Sequence, residues 1–337
     1  MVRPVTSSYA AMGAIVEKIL AEGTASRYDP WLQTYCGSLR EPRRLDKYVR
    51  YLQHMFALAR RDVGGQRVLD AGCGFGLTCV ACHFLGAKEV YGVDIYQGMV
   101  RTFASYVAEF LPNAHIYARV NDVTSLEYAD NTFDVVLAVE AISHFHQLER
   151  FFQEAHRVLR RGGALLISDG NNACNFLTVH RTRKVWDWFE KGIPCGHPAE
   201  NIHAKPYEKV RAEIIQLTYP TLPHNEVQDL AYRTYGMDKE QVIAACRRFL
   251  DEGVRPERRN GLECPLDPIG HVYMERLLDP FKLARGLDQV GFDAKAYPYL
   301  GGARGGMVGL LERGLRPLSG LAMHIANCYE IVAVKRG

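Results

Sequence analysis

A short segment near residue 70 constrains the fold more than any other part of this 337-residue chain. It reads Val68-Leu69-Asp70-Ala71-Gly72-Cys73-Gly74-Phe75-Gly76, an apolar run followed by a carboxylate and three glycines. Glycine lacks a Cβ and tolerates positive φ, so backbone amides of such a loop can approach a ligand closely. The segment therefore predicts a buried strand that ends in a ligand-binding turn. A carboxylate there repels phosphate and suits a ligand that carries an ammonium group.

A second strand is predicted a short distance further along the chain, from Lys88 to Asp94. Its last residue follows Gly72 by 22 positions, the spacing at which a βαβ unit delivers a carboxylate to ribose hydroxyls. The run from 77 to 85 is apolar enough for a buried helix between the two strands, and Gly86 is suited to end that helix.

Three more strand-like runs follow, and an acidic residue comes directly after each or within two positions. They are His115–Val120 before Asn121-Asp122-Val123, Phe133–Val139 before Glu140, and Ala164–Ser168 before Asp169. A helical run and Gly162-Gly163 precede the last of them. Strands that alternate with helices in this way predict a parallel α/β sheet.

Taken in order, these motifs resemble those of class I S-adenosylmethionine (SAM) dependent methyltransferases. The resemblance covers roughly residues 60–170 and resumes near 280, where the terminal apolar run Tyr329–Val334 suits the last strand. It implies a doubly wound, mostly parallel seven-stranded sheet with helices on both faces. It also implies an N-terminal helical lid, a helical cap inserted after the fifth strand, and SAM as cofactor.

The resemblance assigns roles to particular residues. Asp70 and the glycine loop would surround the methionine part of SAM, and Asp94 would bind both ribose hydroxyls. Asp122 would accept from the adenine amino group, and the backbone amide of Val123 would donate to the ring. The cofactor-binding set expected from these matches is Asp70, Gly72, Cys73, Gly74, Gly76, Asp94, Ile95, Asp122, Val123 and Val139.

The chain divides on this basis into an N-terminal lid (1–60), a SAM-binding core (61–170), a cap or acceptor region (171–279) and the end of the core (280–337). Helical spacing in the lid covers 11–20 and 45–59, and a loop-like aromatic stretch with Tyr28, Trp31 and Tyr35 lies between. These aromatics either close over the cofactor or pack the segment onto the core. Four helices are predicted in the cap, at 181–190, 207–217, 225–235 and 239–252.

Candidate catalytic residues follow the fourth strand, where acceptors approach in the family. Methyl transfer is mainly a matter of positioning the nucleophile, and a hydroxyl acceptor also benefits from a base. Glu140, His144 and His146 lie there, and His144 is the preferred base because imidazole titrates near neutrality. The alternative is that Glu140 and His144 only hold the loop.

Composition and local sequence patterns argue against several classes of protein. The formal net charge of +3 gives no reason to expect a nucleic-acid partner. No apolar run is long enough for a membrane span and no signal peptide is evident, so we expect a cytoplasmic protein. The nine cysteines are expected to be buried thiols. Because Cys195, His197 and His203 fit no zinc spacing, no metal is expected.

The predicted activity is methyl transfer to a small or medium-sized acceptor, with oxygen favoured and nitrogen or carbon left open. Arginine-rich runs at 40–50 and 255–261 are either solvated surface or a site for an anionic acceptor. A homodimer is left open. The alternatives are another SAM-using transferase and a non-catalytic SAM-binding sensor or scaffold. A dinucleotide-dependent dehydrogenase has a similar loop, but Asp70, Asp122 and the terminal strand pair argue against it.

Overall fold

The computed structural model describes residues 5–22, 28–193, 205–258, 263–270, 272–301, 309, 314 and 318–337. The chain forms two compact units. The first comprises Met1–Ile142, Gln147–Asn172 and Asp279–Gly337, and the second comprises Ser143–His146 and Ala173–Leu278.

A seven-stranded sheet organises the first unit, with strand order β3-β2-β1-β4-β5-β7-β6. β7 runs antiparallel to both of its neighbours, and the other pairs are parallel. This confirms the predicted doubly wound, mostly parallel α/β fold. The strands are β1 Arg67–Ala71, β2 Glu89–Asp94, β3 Ile116–Val120, β4 Phe133–Val139, β5 Leu159–Asp169, β6 Phe292–Tyr299 and β7 Cys328–Lys335.

Twelve helices lie within the described part of the chain, and a 3₁₀ helix spans Ile142–His144. Helices α1–α6, α11 and α12 belong to the first unit, and α7–α10 to the second. They are α1 Val5–Ala21, α2 Pro30–Leu39, α3 Pro42–Leu58, α4 Leu77–Phe84, α5 Gln97–Phe110, α6 Leu148–Val158, α7 Phe176–Lys191, α8 Tyr207–Thr218, α9 His224–Arg233, α10 Lys239–Glu252, α11 Pro280–Val290 and α12 Ser319–Ala322.

The central strands form because their sequences are rich in apolar residues, as expected for parallel strands covered on both faces. Six of the seven residues of β4 are buried, and Val139 is half-buried. One core cluster joins the sheet to the N-terminal helices, with Leu52 and Phe56 of α3 packed in the same cluster as Val68 of β1 and Val80 of α4. Since the parallel strands end at one edge, the polar residues that follow them meet there.

The prediction of a loop for the aromatic stretch is wrong from residue 30 onward, because α2 begins there. The Asp29 side chain accepts a hydrogen bond from the Trp31 backbone amide at 2.9 Å, and Pro30 occupies the first turn. An Asp N-cap followed by proline is a strong helix start, and the aromatic content of the stretch obscured it. Tyr28 is buried against Tyr106 and donates to Glu109 at 2.6 Å.

β5 begins earlier than predicted. Leu159 follows α6 directly and already pairs with Phe133, and the register then shifts before Val135 pairs with Ala164. Gly162 has a φ of +70°, a conformation that glycine adopts without strain. The two glycines therefore form an irregularity inside the strand, not a link between helix and strand.

The four predicted cap helices are present in the second unit as α7–α10, each within a few residues of its expected bounds except for an earlier start of α7. A buried ion pair joins two of them. Both guanidinium nitrogens at the end of the Arg211 side chain donate to the Glu190 carboxylate, and Nε donates to the Ala231 carbonyl at 3.0 Å. The contacts satisfy a charge that would otherwise be costly to bury.

Two negative findings apply to the described residues alone. None of their helices is both long and apolar enough to cross a membrane. The eight cysteines among them are free thiols.

Candidate functional site

The loop after β1 is anchored to the end of the neighbouring strand β2. The amides of Gly72 and Cys73 both donate to the Val93 carbonyl, at 2.9 and 3.0 Å. The Gly74 amide donates to Oδ2 of Asp94 at 2.9 Å. These bonds fix the loop at the carboxyl edge of the sheet, beside the carboxylate that ends β2.

This arrangement changes the expected role of the glycines. The sequence predicted that loop amides would face a ligand, but those of Gly72, Cys73 and Gly74 are used within the protein. The Gly76 amide is used as well, since it donates to the Cys73 carbonyl at 2.8 Å. A pyrophosphate needs amides that point at it, and these four amides do not provide them. What it offers is a surface without side chains.

The glycines of the loop serve different purposes. Gly72, Gly74 and Gly76 all have positive φ, at +78°, +51° and +70°. A Cβ on Gly76 would come within 2.4 Å of the Phe103 ring, so this glycine allows core packing. A Cβ on Gly74 would meet nothing closer than Sδ of Met99 at 3.9 Å. The open space that a ligand can use therefore lies over Gly74.

Asp70 is a buried carboxyl group on β1, 2% exposed. Its Oδ2 accepts a weak hydrogen bond from the Cys79 thiol at 3.5 Å. Burial raises the pKa of Asp70 to about 7, the thiol opposes this, and the negative charge of Asp94 adds to it. No cationic side chain forms an ion pair with Asp70 among the described residues. A ligand ammonium group would therefore stabilise the charged carboxylate.

Asp94 and Asp122 each take part in local turns and keep capacity for a ligand. Oδ1 of Asp94 accepts from the Tyr96 amide at 2.9 Å, which leaves one lone pair on each carboxylate oxygen. Asp122 is exposed, and its Oδ1 accepts from both the amide and the hydroxyl of Thr124 at 2.8 Å. Asp122 follows β3, whose Val120 is in register with Asp94.

The remaining predicted cofactor residues lie at the same edge. Val123 is buried directly after Asp122, and Val139 is half-buried at the end of β4. Ile95 is exposed directly after Asp94, and Cys73 is half-buried in the glycine loop. The structure therefore places the whole predicted set at the ends of β1, β2, β3 and β4, whose order in the sheet makes them neighbours.

Glu140 connects the ends of two strands. Its backbone has a φ of +50°, which is uncommon for a residue with a Cβ and marks local strain. Its amide donates to the Ser168 carbonyl at 2.7 Å, and its Oε2 accepts from the Gly170 amide at 3.1 Å. These contacts suit a residue that holds the turns after β4 and β5.

His144 and His146 belong to the second unit, whereas Glu140 belongs to the first. Nδ1 of His144 lies 2.8 Å from the Tyr273 carbonyl oxygen. Because a carbonyl only accepts, Nδ1 carries the hydrogen, and in the neutral ring Nε2 holds the lone pair that a base needs. His146 is exposed, and its ring stacks on that of Tyr273 with centroids 5.8 Å apart.

A polar cluster near the same sheet edge was not predicted. Nε2 of His54 on α3 lies 3.1 Å from Oε2 of Glu330 on β7, and the Tyr51 hydroxyl hydrogen-bonds to that of Ser168. The Tyr51 and Tyr299 rings are 4.7 Å apart. Burial raises the pKa of Tyr51 well above its usual range, and Glu330 adds to this. The one available sequence signal was a glutamate inside an apolar strand.

The lid candidates have different surroundings. Tyr28 packs in the core, as described above. Trp31 and Tyr35 are 49% and 51% exposed. The Tyr35 ring lies 6.1 Å from the ring of Phe75, between centroids, and Phe75 belongs to the glycine loop. Of the three, Tyr35 is therefore in contact with the candidate site.

The described residues of the predicted basic runs form surface contacts, mainly ion pairs, and residues 259–261 lie outside the described part of the chain. Arg44 pairs with Glu41, and Arg50 with Asp46. Arg255 pairs with both Glu226 and Asp229, and the guanidinium of Arg258 lies over the Tyr232 ring. Such contacts are typical of a solvated surface.

The residues weighed for a metal site fall in parts of the chain that the structure does not describe. Cys195, His197 and His203, together with His271, lie outside the described residues. Across the part of the chain that is described, no group of three or more His, Cys, Asp or Glu side chains could hold a metal ion.

Comparison with known proteins identifies the segment that contains this site. Residues 69–167 match the family model described as a methyltransferase domain. A demethylmenaquinone methyltransferase from Bacteroides fragilis is 36% identical over 104 residues, or 30% of this chain and 42% of that protein. A ubiquinone biosynthesis O-methyltransferase from Mesorhizobium japonicum is 30% identical over 136 residues, or 40% and 53%. Phosphoethanolamine N-methyltransferase 3 from Arabidopsis thaliana is 36% identical over 109 residues, or 31% and 21%.

The chain spans about half or less of the length of these relatives. The segment matched by the family model runs from β1 to β5 and includes Asp70, the glycine loop, Asp94 and Asp122. The segment is therefore similar to methyltransferase domains, of the class I SAM-dependent type that its motifs resemble. The residues present fit that cofactor, because Asp70 lacks a cation that the amino group of SAM would supply and Gly74 leaves its space open.

Gly74→Ala tests the open space over the loop. The methyl group would occupy the room that the ligand needs, so we expect SAM affinity to fall at least about tenfold in calorimetric titration. Gly65→Ala is the matched control, because Gly65 also has a positive φ of +74° and nothing within 4 Å of an added Cβ, but precedes β1 at the opposite edge. Both variants should lose a similar stability, about 1–2 kcal/mol. Equal SAM affinities would remove Gly74 from the site.

Asp70→Asn tests the buried carboxyl through pH. The folded-state pKa of about 7 is raised above an unfolded value near 3.9, so the folded state binds more protons and loses stability between about pH 4 and pH 7. The carboxamide of the variant does not titrate. The variant should therefore gain stability over the wild type as pH rises to 8, by on the order of 2–4 kcal/mol without ligand. Thermal melts at pH 4.5, 6 and 8 measure this, and a pH-independent difference would contradict it.

Proposed function

We propose that the protein transfers a methyl group from SAM to a small or medium-sized acceptor. The observation that carries the proposal is the pairing of a buried, cation-free carboxyl at Asp70 with the side-chain-free surface over Gly74. The ammonium group of a ligand fits Asp70, and the compact chain that carries this group fits the open space over Gly74. The match of residues 69–167 to a methyltransferase domain supports the same proposal.

The bound cofactor supplies a methyl group on a sulfonium, whose departure as a neutral thioether requires no proton. The protein's task is therefore to bind and orient. Asp70 would hold the amino group and Asp94 the ribose, while the anchored loop keeps both in a fixed geometry. Helices α7–α10 and the segment after them form the unit that we assign to acceptor binding.

We propose oxygen as the atom that is methylated and His144 as the base. A hydroxyl must lose its proton on methylation, and neutral imidazole with its lone pair on Nε2 is suited to accept it. The Tyr273 carbonyl at Nδ1 selects this tautomer. The relatives include proteins named as O- and N-methyltransferases, so the choice of oxygen rests on this histidine.

Two measurements test the function. Titration with SAM, S-adenosylhomocysteine and NAD should show binding of the first two alone. Labelled SAM, offered with a panel of phenols, carboxylates and amines, should then deliver its methyl group to a hydroxyl acceptor. Transfer to amines alone would overturn oxygen as the acceptor atom. SAM binding without transfer to any member of the panel would favour a sensor or scaffold.

His144→Asn tests the proposed base with the acceptor found in that screen. Asparagine keeps a donor for the Tyr273 carbonyl but cannot accept a proton, so turnover should fall about 100-fold. SAM affinity should not change. His224→Asn, on an exposed histidine of the same unit, is the control and should keep full turnover. Full turnover of the His144 variant would leave that residue with a structural role.

A further inference from the structure

The second unit contains a cavity of about 550 Å³. This volume lies within the range of small-molecule sites in proteins. Its walls come from α7, from the turn after α9 and from the segment before α11. The side chains that decide its chemistry are Arg183, Trp186, Tyr235, Glu263, Tyr273 and Arg276.

Three aromatic side chains contribute to the walls, and internal hydrogen bonds fix two of them. Nε1 of Trp186 donates to the Glu275 carbonyl at 3.0 Å. The Tyr235 hydroxyl donates to the Glu263 carbonyl at 2.9 Å. Both residues are buried, at 4% and 3% exposure. Because their polar ends are engaged by the protein, the small parts of these rings that reach the cavity are apolar, which suits an aromatic ligand.

Among the lining residues that the structure describes, two guanidiniums and one carboxylate leave one net positive charge. The Arg276 guanidinium lies 4.3 Å from the centre of the Tyr273 ring, and its Nη2 donates to the Phe145 carbonyl at 2.6 Å. Arg183 is exposed on α7 and makes no hydrogen bond or ion pair with any residue that the structure describes. It is thus the cation best placed to serve a ligand.

The sequence of α7 brings the cation and the aromatic wall together. Val179, Arg183 and Trp186 are separated by four and three positions, so they lie on one face of the helix. All three line the cavity. A ligand that stacks on the wall can therefore reach the guanidinium of Arg183.

We propose that this cavity binds a planar aromatic or conjugated monocarboxylate. Its ring system would pack against Trp186, Tyr235 and Tyr273, and its carboxylate would pair with Arg183, since arginine binds carboxylates bidentately. A single negative charge balances the charge of the described lining residues. The proposed binding depends on residues of the second unit alone. The further statement that the bound molecule is the methyl acceptor rests on the proposed function.

Calorimetric titration of the full chain with 2-naphthoate tests the site. We expect saturable binding, at least about tenfold weaker binding of the neutral analogue 2-naphthamide, and about tenfold weaker binding of 2-naphthoate to Arg183→Gln. Lys184→Gln is the matched control, because Lys184 is exposed on the same helix but does not line the cavity. It should bind 2-naphthoate as the wild type does.

Three results would overturn the proposal: no saturable binding of 2-naphthoate, equal affinity for the neutral analogue, or equal losses in the two variants. Titration of each variant with SAM separates this outcome from a failure of the proposed function. SAM binding without naphthoate binding counts against the cavity alone. Naphthoate binding without SAM binding counts against the cofactor assignment and leaves the cavity site intact.

Discussion

The candidate site depends on three hydrogen bonds from backbone amides that tie the loop after β1 to the end of β2. The Val93 carbonyl takes two of them and the Asp94 carboxylate the third. Asp94 is therefore both a proposed cofactor contact and a support for the loop that it faces. Because the amides are engaged in this way, the loop keeps its shape without a ligand, and the surface over Gly74 is preorganised.

The same edge of the sheet contains a destabilising feature. Asp70 is buried beside the negative charge of Asp94, and its raised pKa means that the charged carboxylate opposes folding near neutral pH. A ligand cation would stabilise the charged carboxylate and so remove its unfavourable effect on folding. The burial of Asp70, which lowers stability without a ligand, is therefore also what favours a positively charged ligand. Folding stability and cofactor binding are thus linked through one carboxyl group.

Much of the fold could be predicted because its signals are local. Apolar runs that end in Asp94 or Glu140 mark strands and their polar ends, and helical periodicity marked the cap helices. The prediction failed where distant residues decide the outcome. The contact between His54 and Glu330 joins positions that are 276 residues apart, so no spacing rule could indicate it. The use of the loop amides likewise depends on the Val93 carbonyl of a neighbouring strand.

The position of β7 has a consequence for synthesis of the protein. β7 is made after the six other strands of this sheet, yet it lies between β5 and β6 and pairs with both. Until it emerges, β5 has an unpaired edge and β6 has no partner in the sheet. The nascent chain therefore exposes an open β-edge until β7 has been made. A chaperone that shields strand edges should affect the yield of this protein more than its final stability.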